Sequence, residues 1–308
     1  LSFACYVAGV FAFSRLLFRL SAAPLPSAAA GLLLMASPLA AYYGFNYIPD
    51  APAVGIAFVG WYAFGMYFLE KRKRYLWLGG LALLLAGALK ITVLISLVGL
   101  IALWILDRLG LDLGRGRRRW FTHPRLAMVL FLGIGLAIAA WYSYASWLKS
   151  TYQSEYFLTS LRTYWQWDEA YRSKVWENLE TLWWPAFYPW ATQWLLGLLA
   201  LWAIWRQWTR SRVFSIWAVL MIAGGASFFV LWFGQLNVHD YYLVQLLVVP
   251  AAILLAAHPL IWHPKQGIWV KRVATVLLLA VLAFNGWKSG EEMRARYDPD
   301  GFFMIGFN

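Results

Sequence analysis

Long apolar runs separated by short polar joints repeat along the whole chain. A helix that crosses the roughly 30 Å hydrocarbon core of a bilayer needs about 20 such residues. The pattern therefore predicts about ten transmembrane helices, at 1–20, 25–44, 51–69, 75–89, 91–106, 126–147, 190–206, 213–235, 241–257 and 270–287. The two helices around Lys90 are equally compatible with a broken helix pair, or with one tilted span and a re-entrant turn.

The composition supports a membrane protein rather than a water-soluble one. Of 308 residues, 62% are hydrophobic and only 13% are charged. This composition gives more apolar surface than the core of a soluble protein of this size could bury. We predict an all-α, polytopic fold in a single transmembrane domain over 1–308. One long outer connection, 149–190, is rich in tryptophan and tyrosine and is expected to form amphipathic helices in the membrane interface.

The basic residues predict which way the helices point. If the ten helices alternate in direction, most of the 26 lysine and arginine residues fall in the joints 15–24, 70–75, 107–125, 206–212 and 258–272. By the positive-inside rule this side is cytoplasmic. Residue 1 then lies on the outer side, within an apolar run, so we expect a first helix and a first outer loop to precede it.

Two candidate functional positions lie at predicted outer helix ends. Tyr42, Tyr43 and Asn46 close the second helix, and Asp50 follows a proline at the start of the third. Asp50 is compatible with a simple helix cap and equally with a role in binding a substrate or metal. Lys90 is the one cation in a long apolar stretch, so it either snorkels to the headgroups or holds an anion such as phosphate.

A third cluster lies where the eighth helix ends and the ninth begins. His239 and Asp240 are adjacent and suit proton transfer or metal binding, and Tyr241 and Tyr242 offer rings and hydroxyls to a sugar. The alternative is that Asp240 caps a helix and the tyrosines belong to an aromatic belt. The long loop 149–190 likewise either packs on lipid or forms a lid over a cavity.

Several functional classes are disfavoured by the sequence. A single cysteine, Cys5, rules out an internal disulfide framework. There is no glycine-rich nucleotide loop, no His-Glu-x-x-His pattern and no Gly-x-Ser-x-Gly elbow. The net charge of +12 is explained by the cytoplasmic joints and does not require a nucleic-acid partner.

Four motifs together resemble the bacterial membrane glycosyltransferases of family 39, in the GT-C superfamily. They are Ala36-Ser37-Pro38 leading to Tyr42-Tyr43, then Pro49-Asp50, then Leu85 to Lys90, and finally His239-Asp240-Tyr241-Tyr242 with Pro250 beyond. Protein O-mannosyltransferases and the aminoarabinose transferases of lipid A are relatives of this family. The resemblance covers nearly the whole chain in helix order and loop sidedness.

The resemblance implies transfer of a sugar from a polyprenyl-phosphate carrier to a lipid, glycan or protein acceptor at the outer face of the cytoplasmic membrane. Asp50 would correspond to an acidic position that orients the acceptor or a divalent metal ion, and Lys90 to the lysine that neutralises the carrier phosphate. The residues Tyr42, Tyr43, Asn46, His239, Asp240, Tyr241 and Tyr242 would line the cavity. The main catalytic base would be an aspartate of the first outer loop, before residue 1.

Two other functions remain open at the level of sequence. A transporter or flippase for a lipid-linked solute also uses charges within the membrane, but would show inverted repeats, and none is evident. A glycan ligase or polymerase would favour a large outer loop with arginine and histidine. Loop 149–190 contains Arg162 and Arg172 but no histidine.

Overall fold

The computed structural model describes residues 1–46, 48–111, 119–153, 161–208 and 212–298. They form helices and turns, with no strand among them. The α-helices are α1 (Ser2–Ser21), α2 (Pro24–Met35), α3 (Pro38–Gly44), α4 (Asp50–Glu70), α5 (Lys73–Leu89), α6 (Ile95–Arg108), α7 (Pro124–Tyr152), α8 (Glu169–Asn178), α9 (Trp184–Phe187), α10 (Trp190–Trp208), α11 (Arg212–Leu231), α12 (Val248–Ile261) and α13 (Ile268–Tyr297). Parts of the predicted joints 107–125 and 206–212 and of the loop 149–190, namely residues 112–118, 209–211 and 154–160, lie outside the described residues.

The protein is a helical membrane protein. Within the described ranges, seven helical stretches are long and apolar enough to cross a membrane, or eight if the bent pair α2 and α3 counts as one span. Each of the ten predicted helices corresponds to helical structure, but the number of spans satisfying these criteria is smaller than ten. Ten spans therefore remain a prediction.

Several predicted helices differ from the structure at their ends or in their course. The predicted helix 25–44 is bent by 77° between α2 and α3, because Ser37 caps a new helix and Pro38 occupies its first position. The predicted helix 213–235 ends at Leu231 and is followed by a 3-10 turn, Phe233–Asn237. The last helix extends ten residues past the predicted end, to Tyr297.

The buried centre of the bundle is α4 together with the helical stretch Asp240–Ile261, which consists of a 3-10 turn (Asp240–Leu247) and α12. α1 packs on α4 so closely that a Cβ atom on Gly9 would lie 2.1 Å from the Gly55 carbonyl oxygen. Small residues at helix contacts allow such approach in membranes. α7 and α13 are mostly exposed, with leucine and valine side chains pointing outward, as expected of helices that face lipid.

Side-chain contacts identify the two ends of the bundle. At one end, which we call the basic end, Arg19 bonds Glu70 at 3.0 Å and Lys71 donates to the Trp120 carbonyl at 3.0 Å. Asp107 accepts the backbone N–H groups of Trp120 and Phe121 there. Residues from three of the predicted basic joints thus meet at one end, which fits the alternation inferred from the sequence.

Candidate functional site at the opposite end of the bundle

The residues singled out in the sequence lie mostly together, at the end of the bundle opposite the basic end. Four segments bring them there: the C-terminal end of α3, the N-terminal end of α4, the break after α5, and the turn Asp240–Leu247. The site contains two ion pairs, Asp50–Lys90 and Asp240–Arg296, connected by aromatic rings. We call this arrangement the paired-ion site.

Asp50 is the first residue of α4, after Pro49 at the N-cap. Its carboxylate is 0% exposed and faces other side chains. Lys90 Nζ lies 3.2 Å from each carboxylate oxygen, and Gln245 Nε2 donates to Oδ1 at 2.9 Å. Asp50 is therefore more than a helix cap, because it holds together α4, the break after α5 and the turn before α12.

Lys90 lies between two helices in extended backbone conformation, which directs its side chain away from the line of α5. The ammonium lies 4.4 Å from the centroid of the Tyr242 ring and 5.3 Å from that of Tyr241. Aromatic faces attract cations at such distances. Lys90 does not snorkel away from the protein, since Asp50 and both rings hold it, but 17% of its side chain stays exposed.

The second ion pair joins the turn before α12 to the end of α13. Arg296 donates to Asp240 Oδ2 at 2.6 Å and to Glu292 at 2.7 Å, and Tyr43 donates to Asp240 Oδ1 at 2.5 Å. The guanidinium also lies 4.8 Å from the centroid of the Tyr42 ring. Asp240, like Asp50, is buried with both carboxylate oxygens bonded.

Tyrosine rings connect the two ion pairs. Tyr241 stacks on Tyr242 with a centroid separation of 4.7 Å and meets the edge of Tyr43 at 5.9 Å. Tyr43 bonds the Asp240–Arg296 pair, and Tyr242 lies under the Lys90 ammonium. Three packed rings thus form a continuous contact between the two ion pairs.

His239 lies beside these rings and is half-buried. Its ring centroid is 5.0 Å from that of Tyr241 and 6.1 Å from that of Tyr242. Burial lowers the pKa of His239 below its ordinary value, and the neighbouring charges of Lys90 and Arg162 act in the same direction, whereas Asp240 opposes them. The imidazole is therefore neutral at physiological pH and has a lone pair that can accept a proton.

Asn46 differs from the other predicted residues, because its contact is local. Its side-chain amide donates to the Tyr42 carbonyl at 3.1 Å, one turn back along α3. The contact stabilises the end of α3, and within the described part of the chain no hydrogen bond or ion pair joins the Asn46 side chain to Asp50, Lys90, Asp240 or Arg296.

Sequence reasoning missed three members of the site: Gln245, Glu292 and Arg296. Gln245 was detectable as the one amide within an apolar run, five residues after Asp240. Glu292 and Arg296 lie beyond the last predicted helix, which was expected to end at 287. Continuation of α13 to Tyr297 is what brings them to Asp240.

The predicted outer loop docks on the segment that leads into His239. Tyr171 donates to the Gly234 carbonyl, and Asn178 donates to the Asn237 carbonyl at 2.9 Å. A Cβ atom on Gly234 would lie 2.5 Å from Trp167 Nε1, so only glycine permits this approach. Over its described part, the loop consists of a 3-10 turn at Tyr164–Gln166, then α8, a π-helical turn at Leu179–Trp183 and α9. Its hydrogen bonds fix the position of the turn Phe233–Asn237.

An apolar groove runs from this loop along the outer surface of the bundle. One part, about 490 Å³, lies under α8 and α9, and the next, about 330 Å³, lies between α10, α11 and α12. Trp184 and Phe229 line both parts. Leu246, in the wall of the second part, directly follows Gln245 of the paired-ion site.

The described residues contain no group of three or more histidine, cysteine, aspartate or glutamate side chains that could hold a metal ion. Comparison of the chain with protein-family models, curated proteins and solved structures gives no match. The case for a function therefore rests on the geometry of the site and on the sequence motifs.

Proposed function

We propose that this protein is a glycosyltransferase that takes a sugar from a polyprenyl-phosphate carrier and passes it to an acceptor at the outer face of the cytoplasmic membrane. The observation that carries the proposal is Lys90, whose ammonium is held at the end of the bundle by Asp50, Tyr241 and Tyr242 and whose side chain is 17% exposed. A compact cation with three N–H donors suits phosphate oxygens.

The chemistry needs such a cation at the leaving group. The acceptor oxygen forms a bond to the anomeric carbon, and the bond from that carbon to the phosphate oxygen breaks, with its electron pair left on the phosphate. Negative charge therefore grows on the phosphate in the transition state, where Lys90 stabilises it. The proton of the acceptor hydroxyl leaves to a base, which the family resemblance places in a first outer loop.

The apolar groove supports a lipid-linked donor. Its second part is walled by Leu196, Ile222, Leu246 and Val249, with little polar surface. A polyprenyl chain lying there would be in contact with apolar side chains on one side and bilayer on the other. The turn of chain that contributes Leu246 to its wall also carries Gln245, so the groove and the paired-ion site share one structural element.

The sidedness of the charges supports an outward-facing site. The paired-ion site lies at the end opposite Arg19, Lys71 and the other residues of the basic end. By the positive-inside rule, the basic end faces the cytoplasm. A lipid-phosphate donor suits that location, because nucleotide sugars are confined to the cytoplasm and the sequence lacks a nucleotide-binding motif.

The test is sugar transfer by the full-length protein in liposomes, from a radiolabelled polyprenyl-phosphate sugar to extracted envelope lipids, glycans or proteins. Lys90→Met should lower transfer by at least about 100-fold, the scale on which loss of one charge-stabilising donor reduces rates. Lys174→Met, an exposed lysine of α8, serves as the matched control and should leave transfer unchanged.

Two outcomes would contradict the proposal. If labelled lipid crosses the bilayer with its sugar still attached, the protein is a transporter. If transfer occurs but is equal in wild type and Lys90→Met, the reaction takes place elsewhere in the molecule and Lys90 does not hold the phosphate.

A further inference from the structure

The two oxygens of Asp50 are already occupied by the protein. Lys90 Nζ lies 3.2 Å from both, Gln245 Nε2 bonds Oδ1 at 2.9 Å, and none of the residue is exposed. A group that accepts a proton from an incoming hydroxyl must reach that hydroxyl directly or through one water. The Asp50 carboxylate has no exposed surface at which an acceptor could meet it.

The Lys90 side chain, in contrast, is partly exposed. Asp50 and the Tyr242 ring hold the ammonium from inside the protein, and 17% of the side chain remains exposed. An ammonium has three N–H donors, and they rotate on a flexible stem. The side chain is long enough to take many positions, so a fixed counter-charge is needed to keep it in one.

The charges of Asp50 and Lys90 also indicate that the carboxylate serves the ammonium. An ammonium in apolar surroundings without a counter-ion is strongly disfavoured. Asp50 supplies the opposite charge before any donor arrives, and Gln245 holds Asp50 in turn. The carboxamide nitrogen of Gln245 must face Asp50, because a carboxylate only accepts hydrogen bonds.

We infer that Asp50 is a positioning residue: it holds the Lys90 ammonium where the donor phosphate binds, and it does not receive the proton of the acceptor. This inference rests on the proposed function, since it assigns Asp50 its role in the same reaction. The proton goes to another group, and Asp50 acts on the reaction through Lys90.

A double-mutant cycle tests this dependence, with Asp50→Asn, Lys90→Met and the double variant in the full-length protein. If Asp50 acts through Lys90, Asp50→Asn lowers transfer in the wild-type background, because a displaced Lys90 weakens both donor binding and stabilisation of the transition state. In the Lys90→Met background it then changes the rate by less than about threefold, because coupled residues show non-additive effects. A general base contributes about 100-fold or more to the reaction rate. If Asp50 were that base, Asp50→Asn would lower the rate by this factor in both the wild-type and the Lys90→Met background.

The same variants are tested for binding of sugar-free polyprenyl phosphate, which needs no transfer. Asp50→Asn should weaken its binding about tenfold or more, and the double variant should bind as weakly as Lys90→Met. Size-exclusion profiles in detergent establish that each variant is folded. If Lys90→Met does not fold, Lys90→Gln replaces it, since its amide can still bond Asp50.

The outcomes separate the two proposals. Absence of both transfer and polyprenyl-phosphate binding in the wild type would overturn the proposed function itself. A different result would overturn only the positioning role. In that case the wild type transfers sugar normally, and Asp50→Asn binds the lipid phosphate normally but loses at least about 100-fold in kcat in both backgrounds. Asp50 would then be the proton acceptor.

Discussion

Arg296 and Asp240 form an ion pair of 2.6 Å, in which 1% and 5% of the two side chains are exposed. One lies at the end of α13, the last described helix, and the other opens the turn that precedes α12. The pair is the main polar link between the peripheral helix α13 and the buried centre of the bundle. Loss of the pair should therefore loosen the end of α13 at the candidate site.

Replacing Arg296 with methionine should destabilise the protein. The substitution keeps much of the side-chain volume but leaves the Asp240 carboxylate buried without its cation, which costs about 3–5 kcal/mol. The free energy of unfolding in mixed micelles provides the measurement. Arg294→Met, an exposed arginine two residues away, is the control and should change stability little; equal stability of the two variants would show that the pair contributes nothing.

The close contact of α1 and α4 gives a second prediction. A Cβ atom on Gly55 would lie 2.5 Å from the Cys5 carbonyl oxygen, a backbone atom that cannot rotate away. Gly55→Ala should therefore push the helices apart and destabilise the protein by about 1–3 kcal/mol. Gly133→Ala in α7 meets nothing within 4 Å and should be neutral or stabilising, since alanine favours helix. A similar loss of stability at both positions would contradict the close contact between α1 and α4.

His239 should make stability depend on pH. Burial lowers its folded-state pKa below the unfolded value of about 6.5, so below that pH the unfolded chain binds more protons. Stability then falls as the pH drops from about 7 through the unfolded pKa, until the folded-state pKa is passed. The measurement is the unfolding free energy across this range. His239→Gln should make that part of the profile less steep; an unchanged slope in His239→Gln would show that the pKa of His239 is not lowered.

The apolar groove gives a prediction about the donor chain. Ala226 lines the groove between α10, α11 and α12, and tryptophan there would fill the space assigned to the prenyl chain. Ala226→Trp should raise KM for a long-chain donor by about tenfold, the effect of blocking a few methylene contacts, and affect a short-chain donor less. Ala223→Trp, on an exposed alanine of the same helix outside the groove, is the control. Equal KM values for the two variants would place the chain elsewhere.

The contribution of the sequence differs between parts of the site. Asp50, Lys90 and the segment His239 to Tyr242 were identified because charges and paired tyrosines stand out at the ends of apolar runs. Gln245 was not identified from the sequence, because a single amide in an apolar run is compatible with several roles until its hydrogen-bond partner is known. Arg296 was missed because the sequence places the last polar turns of α13 outside the bilayer, where they need not continue as helix.

The sequence by itself determined that this is a helical membrane protein, where most helices begin and end, and which joints carry the basic charge. These properties depend on the length of each apolar run and on the cost of burying charge, and both are local. Only the tertiary structure decided the bend at Ser37 between α2 and α3, and which helix ends meet. That decision fixes the partners of Asp50 and Asp240, because an ion pair forms between side chains that packing brings within about 3 Å, however far apart they are in the chain.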